Sequence, residues 1–71
     1  MNSVNAMLDV YRNYTEWYNK IVAHYDPMLR DELKRTVEAL AELEELADTL
    51  GYTFECDVKN KLVTGVRLVR C

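Results

Sequence analysis

The sequence predicts an α+β fold, in which an antiparallel αα-hairpin packs on a C-terminal two-stranded β-hairpin. Apolar residues first recur at three- and four-residue spacing in two successive segments, which is typical of amphipathic helices. After Gly51 the apolar period changes from 3.6 to 2, which is typical of strands. With 71 residues, the chain is expected to form one small domain, residues 1–71. The predicted helices and strands comprise about residues 3–25, 27–50, 52–58 and 62–70.

The first helix is predicted to begin at Ser3 as its N-cap, with Asn2 as the alternative cap. One side of this helix is apolar and rich in tyrosine, whereas the other side carries charged and amide side chains. Oppositely charged residues four positions apart, such as Arg12 and Glu16, are typical of an ordinary solvated helix face. The predicted apolar positions are Val4, Met7, Leu8, Val10, Tyr11, Tyr14, Trp17, Tyr18, Ile21, Val22 and Tyr25.

The aromatic residues on this stripe have two interpretations. The favoured one places the rings at the rim of the core, with each tyrosine hydroxyl in water. The alternative is a protein–protein contact surface, because Tyr and Trp are enriched in interface hot spots. Base stacking is disfavoured, since no basic residues are interleaved to hold phosphates. The candidate interface residues are Tyr11, Tyr14, Trp17 and Tyr18, together with Val63 and Val69 from the last strand.

Clear signals mark both ends of the second helix. Asp26 can accept hydrogen bonds from the first free N–H groups, and Pro27 suits the first helical position. Gly51 suits the left-handed residue that ends a helix. The short connection between helices of similar length predicts that they are antiparallel. The apolar stripe of this helix comprises Leu29, Leu33, Val37, Leu40, Leu43, Ala47 and Leu50.

The second half of this helix is acidic and contains no basic residue. Like charges four residues apart, and acidic groups near a helix C-terminus, are both mildly unfavourable. The favoured explanation is that basic residues of the β-hairpin neutralise this face. The alternative is an acidic docking face that binds a basic partner or imitates a phosphate backbone. The candidate docking residues are Glu38, Glu42, Glu45 and Asp48, and Glu44 is expected at the boundary of the apolar stripe.

The register of the β-hairpin is predicted from the two faces of its strands. A three-residue loop pairs Val58 with Leu62 and Phe54 with Val66, which collects the large apolar side chains on one face. A two-residue loop would place Arg67 on that face instead. In the predicted register Cys56 is a small buried hydrophobe. Glu55 lies near Arg67 on the outer face, toward which Val63 and Val69 also point.

The last strand is apolar on both faces and lacks acidic residues. A two-stranded sheet is marginal alone and leaves two open edges. We therefore expect this strand to pair with a second copy, giving a homodimer with a four-stranded sheet. A chain of this size gains much from such a partner, because small domains bury a smaller fraction of their surface.

Composition excludes several classes of function. Nine basic and twelve acidic side chains give a net charge of −3, which argues against direct nucleic-acid binding and against anionic membranes. Cys56, Cys71 and the single histidine, His24, cannot supply a zinc site. Neither a signal peptide nor a membrane-spanning segment is predicted. We expect no catalytic, cofactor-binding or metal-binding residues, because the carboxylates lie on an open helix face where nothing separates their pKa values.

These observations predict a small cytoplasmic, non-enzymatic protein–protein interaction or accessory protein that self-associates. Two free thiols without a pairing pattern are typical of a reducing compartment. The alternative is a small acidic inhibitor of the phage or mobile-element type, such as an anti-defence protein. It would occupy a nucleic-acid-binding or basic site on its target through the acidic helix face. A nucleic-acid-binding hairpin is a third possibility, and the overall acidity weighs against it. It would use Lys59, Lys61, Arg67 and Arg70.

Overall fold

The structure, a computed structural model that describes residues 3–71, confirms the predicted fold class. Two helices pack on one side of a two-stranded antiparallel β-hairpin. Ser3, the predicted N-cap, is already part of the α1 helix, and Asn2, the alternative cap, lies outside the described residues. A single 3₁₀ turn precedes the second helix. The elements are α1 (Ser3–Ala23), the 3₁₀ turn (Pro27–Leu29), α2 (Arg30–Thr49), β1 (Tyr52–Lys59) and β2 (Leu62–Arg70).

The residues predicted to delimit the second helix mark the start of the 3₁₀ turn that leads into α2, and the end of α2. Asp26 has an extended backbone, and its Oδ1 accepts a hydrogen bond from the N–H of Met28 at 2.9 Å. Pro27 occupies the first helical position, where its missing N–H costs nothing. At the other end Gly51 adopts a left-handed conformation with a φ of 84°, which glycine accepts without steric strain.

The core lies between the helical pair and the inner face of the hairpin. The α1 helix packs on β2, and α2 packs on β1. Tyr11 is the centre of this core, since it is 3% exposed and its ring stacks on Phe54 with centroids 3.9 Å apart. Thr36 lies outside the predicted stripe yet is buried, and its hydroxyl is satisfied by donating to the carbonyl of Glu32 at 2.8 Å. The buried residues are Met7, Tyr11, Thr15, Ile21, Thr36 and Ala47.

The predicted hairpin register is wrong. The loop contains two residues, Asn60 and Lys61, and both have positive φ angles of 53° and 68°. This backbone matches the twist of a tight hairpin. The register shifts by one residue next to Thr64, since Val58 pairs with Val63 whereas Asp57 pairs with Gly65.

This β-bulge explains why a two-residue loop is compatible with the apolar pattern. The extra residue restores the alternation of β2, so that Phe54 pairs with Leu68 and Arg67 stays on the outer face opposite Glu55. The apolar face was therefore predicted correctly for most of β2. The paired residues differ by two positions, since Phe54 was expected opposite Val66 and lies opposite Leu68. The exceptions lie on the turn side of the bulge. Val63, which was expected outward, lines the space beneath the helices, and Leu62, which was expected inward, pairs with Lys59 on the outer face.

The outer edge of β2 is covered by α1. The side-chain amide of Asn19 donates to the carbonyl of Val63 at 2.7 Å and accepts from its N–H at 2.8 Å. Arg12 adds a longer hydrogen bond to the carbonyl of Val66, at 3.4 Å. Asn19 thus replaces a neighbouring strand at this position of the sheet edge.

Replacing Asn19 with alanine is expected to destabilise the fold by about 1–3 kcal/mol, because both backbone groups of Val63 lose their partner while half-buried. Chemical denaturation monitored by circular dichroism measures this change. Asn13→Ala is the matched control, since Asn13 lies on the same helix, is exposed and makes no side-chain hydrogen bond within residues 3–71. Equal stability of the two variants would contradict the role given to Asn19.

Candidate protein-interaction surface

The outer edge of β1 is open, in contrast to that of β2. The N–H of Cys71 donates to the carbonyl of Gly51 at 3.0 Å, which makes these two residues a hydrogen-bonded pair. Because such pairs alternate along an antiparallel ladder, the pairs at Tyr52, Phe54, Cys56 and Val58 are not hydrogen-bonded. Their N–H and C=O groups point away from β2. Within residues 3–71 no hydrogen bond reaches these outward groups.

An apolar groove of about 320 Å³ lies beside this edge, between the helices and the turn end of the hairpin. Val37 of α2 is 48% exposed in it, and Val58 of β1 is 64% exposed. Cys56 and Val58 of β1 line the groove and also belong to the open edge, so the groove adjoins this edge. An open strand edge and uncovered apolar side chains therefore lie together. The apolar lining includes Tyr18, Val37, Leu40, Ala41, Val58 and Val63.

A small polar cluster lies along this groove. The hydroxyl of Tyr11 donates to Oε1 of Glu44 at 2.8 Å and lies 3.5 Å from Sγ of Cys56. Burial raises the pKa of Tyr11 far above its usual value, and its hydrogen bonds to Cys56 and Glu44 raise the pKa further. The Cys56 side chain is exposed, so its predicted burial is wrong. Cys56 lines the groove.

Raising the pH is expected to destabilise the protein through Tyr11. A pKa that is higher in the folded state contributes stability below the unfolded pKa, here 10.0, and that stability is lost as the pH rises above it. The free energy of unfolding should fall by up to about 1.4 kcal/mol per pH unit above pH 10 from this group. Denaturation of the wild type and of Tyr11→Phe at pH 8, 10 and 11 measures the slope. An identical slope in both proteins would contradict this assignment.

The structure separates the predicted aromatic interface into three environments. Tyr11 is 3% exposed in the core and lines the floor of the groove, so it offers little surface of its own to a partner. Tyr18 is half-buried and lines the groove. Tyr14 and Trp17 are 38% and 46% exposed and lie with Val10 in a separate shallow depression on α1. The heptad-like spacing of these rings could not distinguish the three environments, because all of them fall on one half of the helix.

The two valines of the predicted interface are also separated. Val69 is half-buried on the outer face, opposite Thr53. Val63 faces the helices, and its edge groups are bound by Asn19. The turn half of β2 is therefore not available for pairing with another strand. The sequence contains no signal for this contact, since Asn19 lies among the polar residues of α1 and no local pattern links it to Val63.

The predicted acidic docking face is exposed to solvent. Glu38, Glu42, Glu45 and Asp48 are all exposed, and none of them forms an ion pair within residues 3–71. Arg67, a basic residue of the hairpin, instead contacts Asp57 at 2.9 Å and Glu55 at 3.0 Å. These contacts, that with Asp57 most strongly, raise the pKa of Arg67. The favoured explanation was that basic residues of the hairpin neutralise this face. No basic residue of the hairpin lies within ion-pair distance of these four carboxylates in the described structure, so direct neutralisation is wrong.

Other kinds of site receive no support from the described part of the chain. Residues 3–71 contain no group of three or more His, Cys, Asp and Glu side chains placed to hold a metal ion. Neither described helix combines the length and the apolar character needed to cross a membrane. The chain matches no protein family model, and comparisons with curated proteins and with solved structures gave no significant match. Its function is therefore inferred from its own residues.

Proposed function

We propose that this chain is a small cytoplasmic, non-enzymatic protein–protein interaction protein that self-associates through the outer edge of β1. The observation that carries this proposal is the row of unbound N–H and C=O groups beside an apolar groove. An exposed strand edge binds another extended strand through main-chain hydrogen bonds, and neighbouring apolar pockets add specificity. The sequence predicted that β2 pairs with a second copy, whereas the proposed pairing uses the outer edge of β1.

The small core supports self-association. Among the described residues no large side chain is less than 2% exposed, and several large apolar residues remain about half exposed. A chain of this length buries only about 60% of its unfolded surface by itself. Burying Val37 and Val58 against a second copy would cover two apolar side chains that are 48% and 64% exposed in the monomer.

Light scattering over a wide range of protein concentration tests this proposal. We expect a mass of twice the monomer at high concentration, with reversible dissociation on dilution. A monomer at every concentration would overturn self-association. The open edge and the groove would then have to be tested with foreign protein partners.

A second candidate function is an acidic inhibitor that occupies a basic or nucleic-acid-binding site on another protein. The observation that favours it concerns the exposed face formed by Glu38, Glu42, Glu45 and Asp48, which makes no ion pair with any described residue. At about 1.5 Å rise per residue, the first and last of these carboxylates lie about 15 Å apart along the helix. Such a row of negative charge resembles a short stretch of phosphate backbone.

Reversing Glu42 and Glu45 to lysine is expected to abolish binding to immobilised polylysine, which serves as a simple basic surface, and to leave self-association intact. Wild-type binding should weaken steeply with salt, because the interaction is between exposed charges. The control variant Asp9→Lys with Glu16→Lys makes the same charge change on exposed positions of α1. If both double variants bind equally well or equally poorly, only net charge matters and the docking face is contradicted.

A further inference from the structure

We propose that the two β1 strands pair antiparallel about a two-fold axis at Asp57, so that Cys56 of each copy lies opposite Val58 of the other. This inference rests on the proposed self-association and specifies its register. In this arrangement each copy completes the open groove of the other. The result is a four-stranded antiparallel sheet in the order β2-β1-β1-β2.

The direction of the backbone groups restricts the possible registers. Only the N–H and C=O groups of the even-numbered residues Tyr52, Phe54, Cys56 and Val58 point outward. In an antiparallel ladder, outward groups must face outward groups of the partner strand. Two identical strands can therefore pair symmetrically about Glu55, Cys56 or Asp57. The ladder then keeps all four of these residues for the Glu55 axis, three for the Cys56 axis, and Cys56 and Val58 for the Asp57 axis, because β1 ends at Lys59.

Charge on the outer face distinguishes these three axes. An axis at Glu55 places Glu55 opposite its own copy, and an axis at Cys56 places Glu55 opposite Asp57 twice. An axis at Asp57 also places one pair of like charges together, Asp57 with its own copy, but it places Glu55 opposite Lys59 of the second copy, twice. It is the one axis of the three with directly opposed unlike charges. Directly opposed unlike charges stabilise a sheet and like charges destabilise it.

The ion pairs within each copy are consistent with this choice. Arg67 contacts both Glu55 and Asp57, and these three side chains together carry a net charge of −1. Lys59 is exposed and makes no ion pair within residues 3–71. The Asp57 axis brings the lysine of each copy to the negative cluster of the other. The two aspartates at the axis are each held by their own Arg67.

The same register covers the exposed apolar groups on the inner face. It places Val58, the most exposed apolar residue of the hairpin, beside Cys56 of the second copy at the mouth of the groove. Because α2 packs on β1, the two α2 helices then lie side by side over the central strands. Val37 lies on the groove side of α2 and becomes covered in this assembly.

Disulfide trapping tests the register. In a Cys71→Ser background, the Val58→Cys variant has one thiol at position 56 and one at position 58. Under the Asp57 axis, these thiols of different copies lie at the distance of a directly opposed pair, which suits a disulfide. Within one chain the two positions are about 6.7 Å apart along the strand and their side chains are parallel. This arrangement does not allow a disulfide within one copy. Diamide is the oxidant and accepts the two electrons and two protons released per bond.

Two control proteins make the result specific. One is Cys71→Ser alone, which keeps only Cys56. The other is Val58→Cys with both Cys56→Ser and Cys71→Ser, which keeps only the introduced thiol. We expect a covalent dimer on a non-reducing gel in the two-thiol protein, at least tenfold more abundant than in either control.

Every other outcome overturns the register. Cross-linking through Cys56 alone would place the axis at Cys56. A dimer by light scattering that is not trapped in the two-thiol protein would reject the Asp57 axis and leave the proposed self-association in place. A monomer by light scattering with no trapping would reject both.

Discussion

Replacing Tyr11 with alanine is expected to destabilise the protein by about 3–5 kcal/mol, as the removal of a large buried aromatic side chain does. The variant loses the ring stack on Phe54, at 3.9 Å between centroids, and the hydrogen bond to Glu44. Small proteins are stable by only about 0.05–0.15 kcal/mol per residue. This single change should therefore remove most of the stability, which chemical denaturation monitored by circular dichroism measures.

The Tyr11→Phe variant is the matched control for this prediction. It keeps the stacked ring and removes only the hydroxyl, so we expect a smaller loss of about 1–2 kcal/mol. Tyr14→Ala is a second control, because Tyr14 is 38% exposed on the same helix. If Tyr11→Ala were no more destabilised than Tyr14→Ala, Tyr11 would not be the centre of the core.

Replacing Val58 with proline is expected to weaken self-association by roughly 10- to 100-fold, since two symmetry-related N–H donors are lost at the interface. The N–H of Val58 points away from β2, so proline removes no hydrogen bond from the hairpin itself. The folded monomer should persist with a nearly unchanged circular dichroism spectrum. Analytical ultracentrifugation over a concentration series measures the change in dissociation constant.

Val58→Thr separates the effect of the backbone from that of the side chain. Threonine keeps the outward N–H and the branched shape that suits a strand. We expect this variant to dimerise much more tightly than Val58→Pro, with a modest loss from the polar hydroxyl in the groove. Equal weakening by threonine and proline would show that the side chain alone matters and that the strand edges do not pair.

The helical part of the fold could be predicted because its signals are local. Asp26 and Pro27 start the second helix, and Gly51 ends it, through backbone requirements that a few neighbouring residues satisfy. The alternation of Phe54 and Leu68 likewise identified the inner face of the sheet. Each of these features depends on residue type and on spacing within one element.

The register and the interaction surface could not be predicted because they depend on contacts between elements. The bulge at Thr64 changes the pairing while preserving the inner face of Phe54 and Leu68, so the apolar pattern alone fits more than one loop length. Which of the two strand edges is covered depends on the contact between Asn19 and Val63, which forms only in the folded chain. That contact spans 44 positions and has no local signature.

The most direct test of the central claim, that the open edge of β1 mediates self-association, is light scattering of the wild type, Val58→Thr and Val58→Pro at matched concentrations. We predict the mass of a dimer for the wild type and for Val58→Thr at high concentration, and the mass of a monomer for Val58→Pro. A wild type that remains monomeric, or a proline variant that dimerises as tightly as the wild type, would contradict the claim.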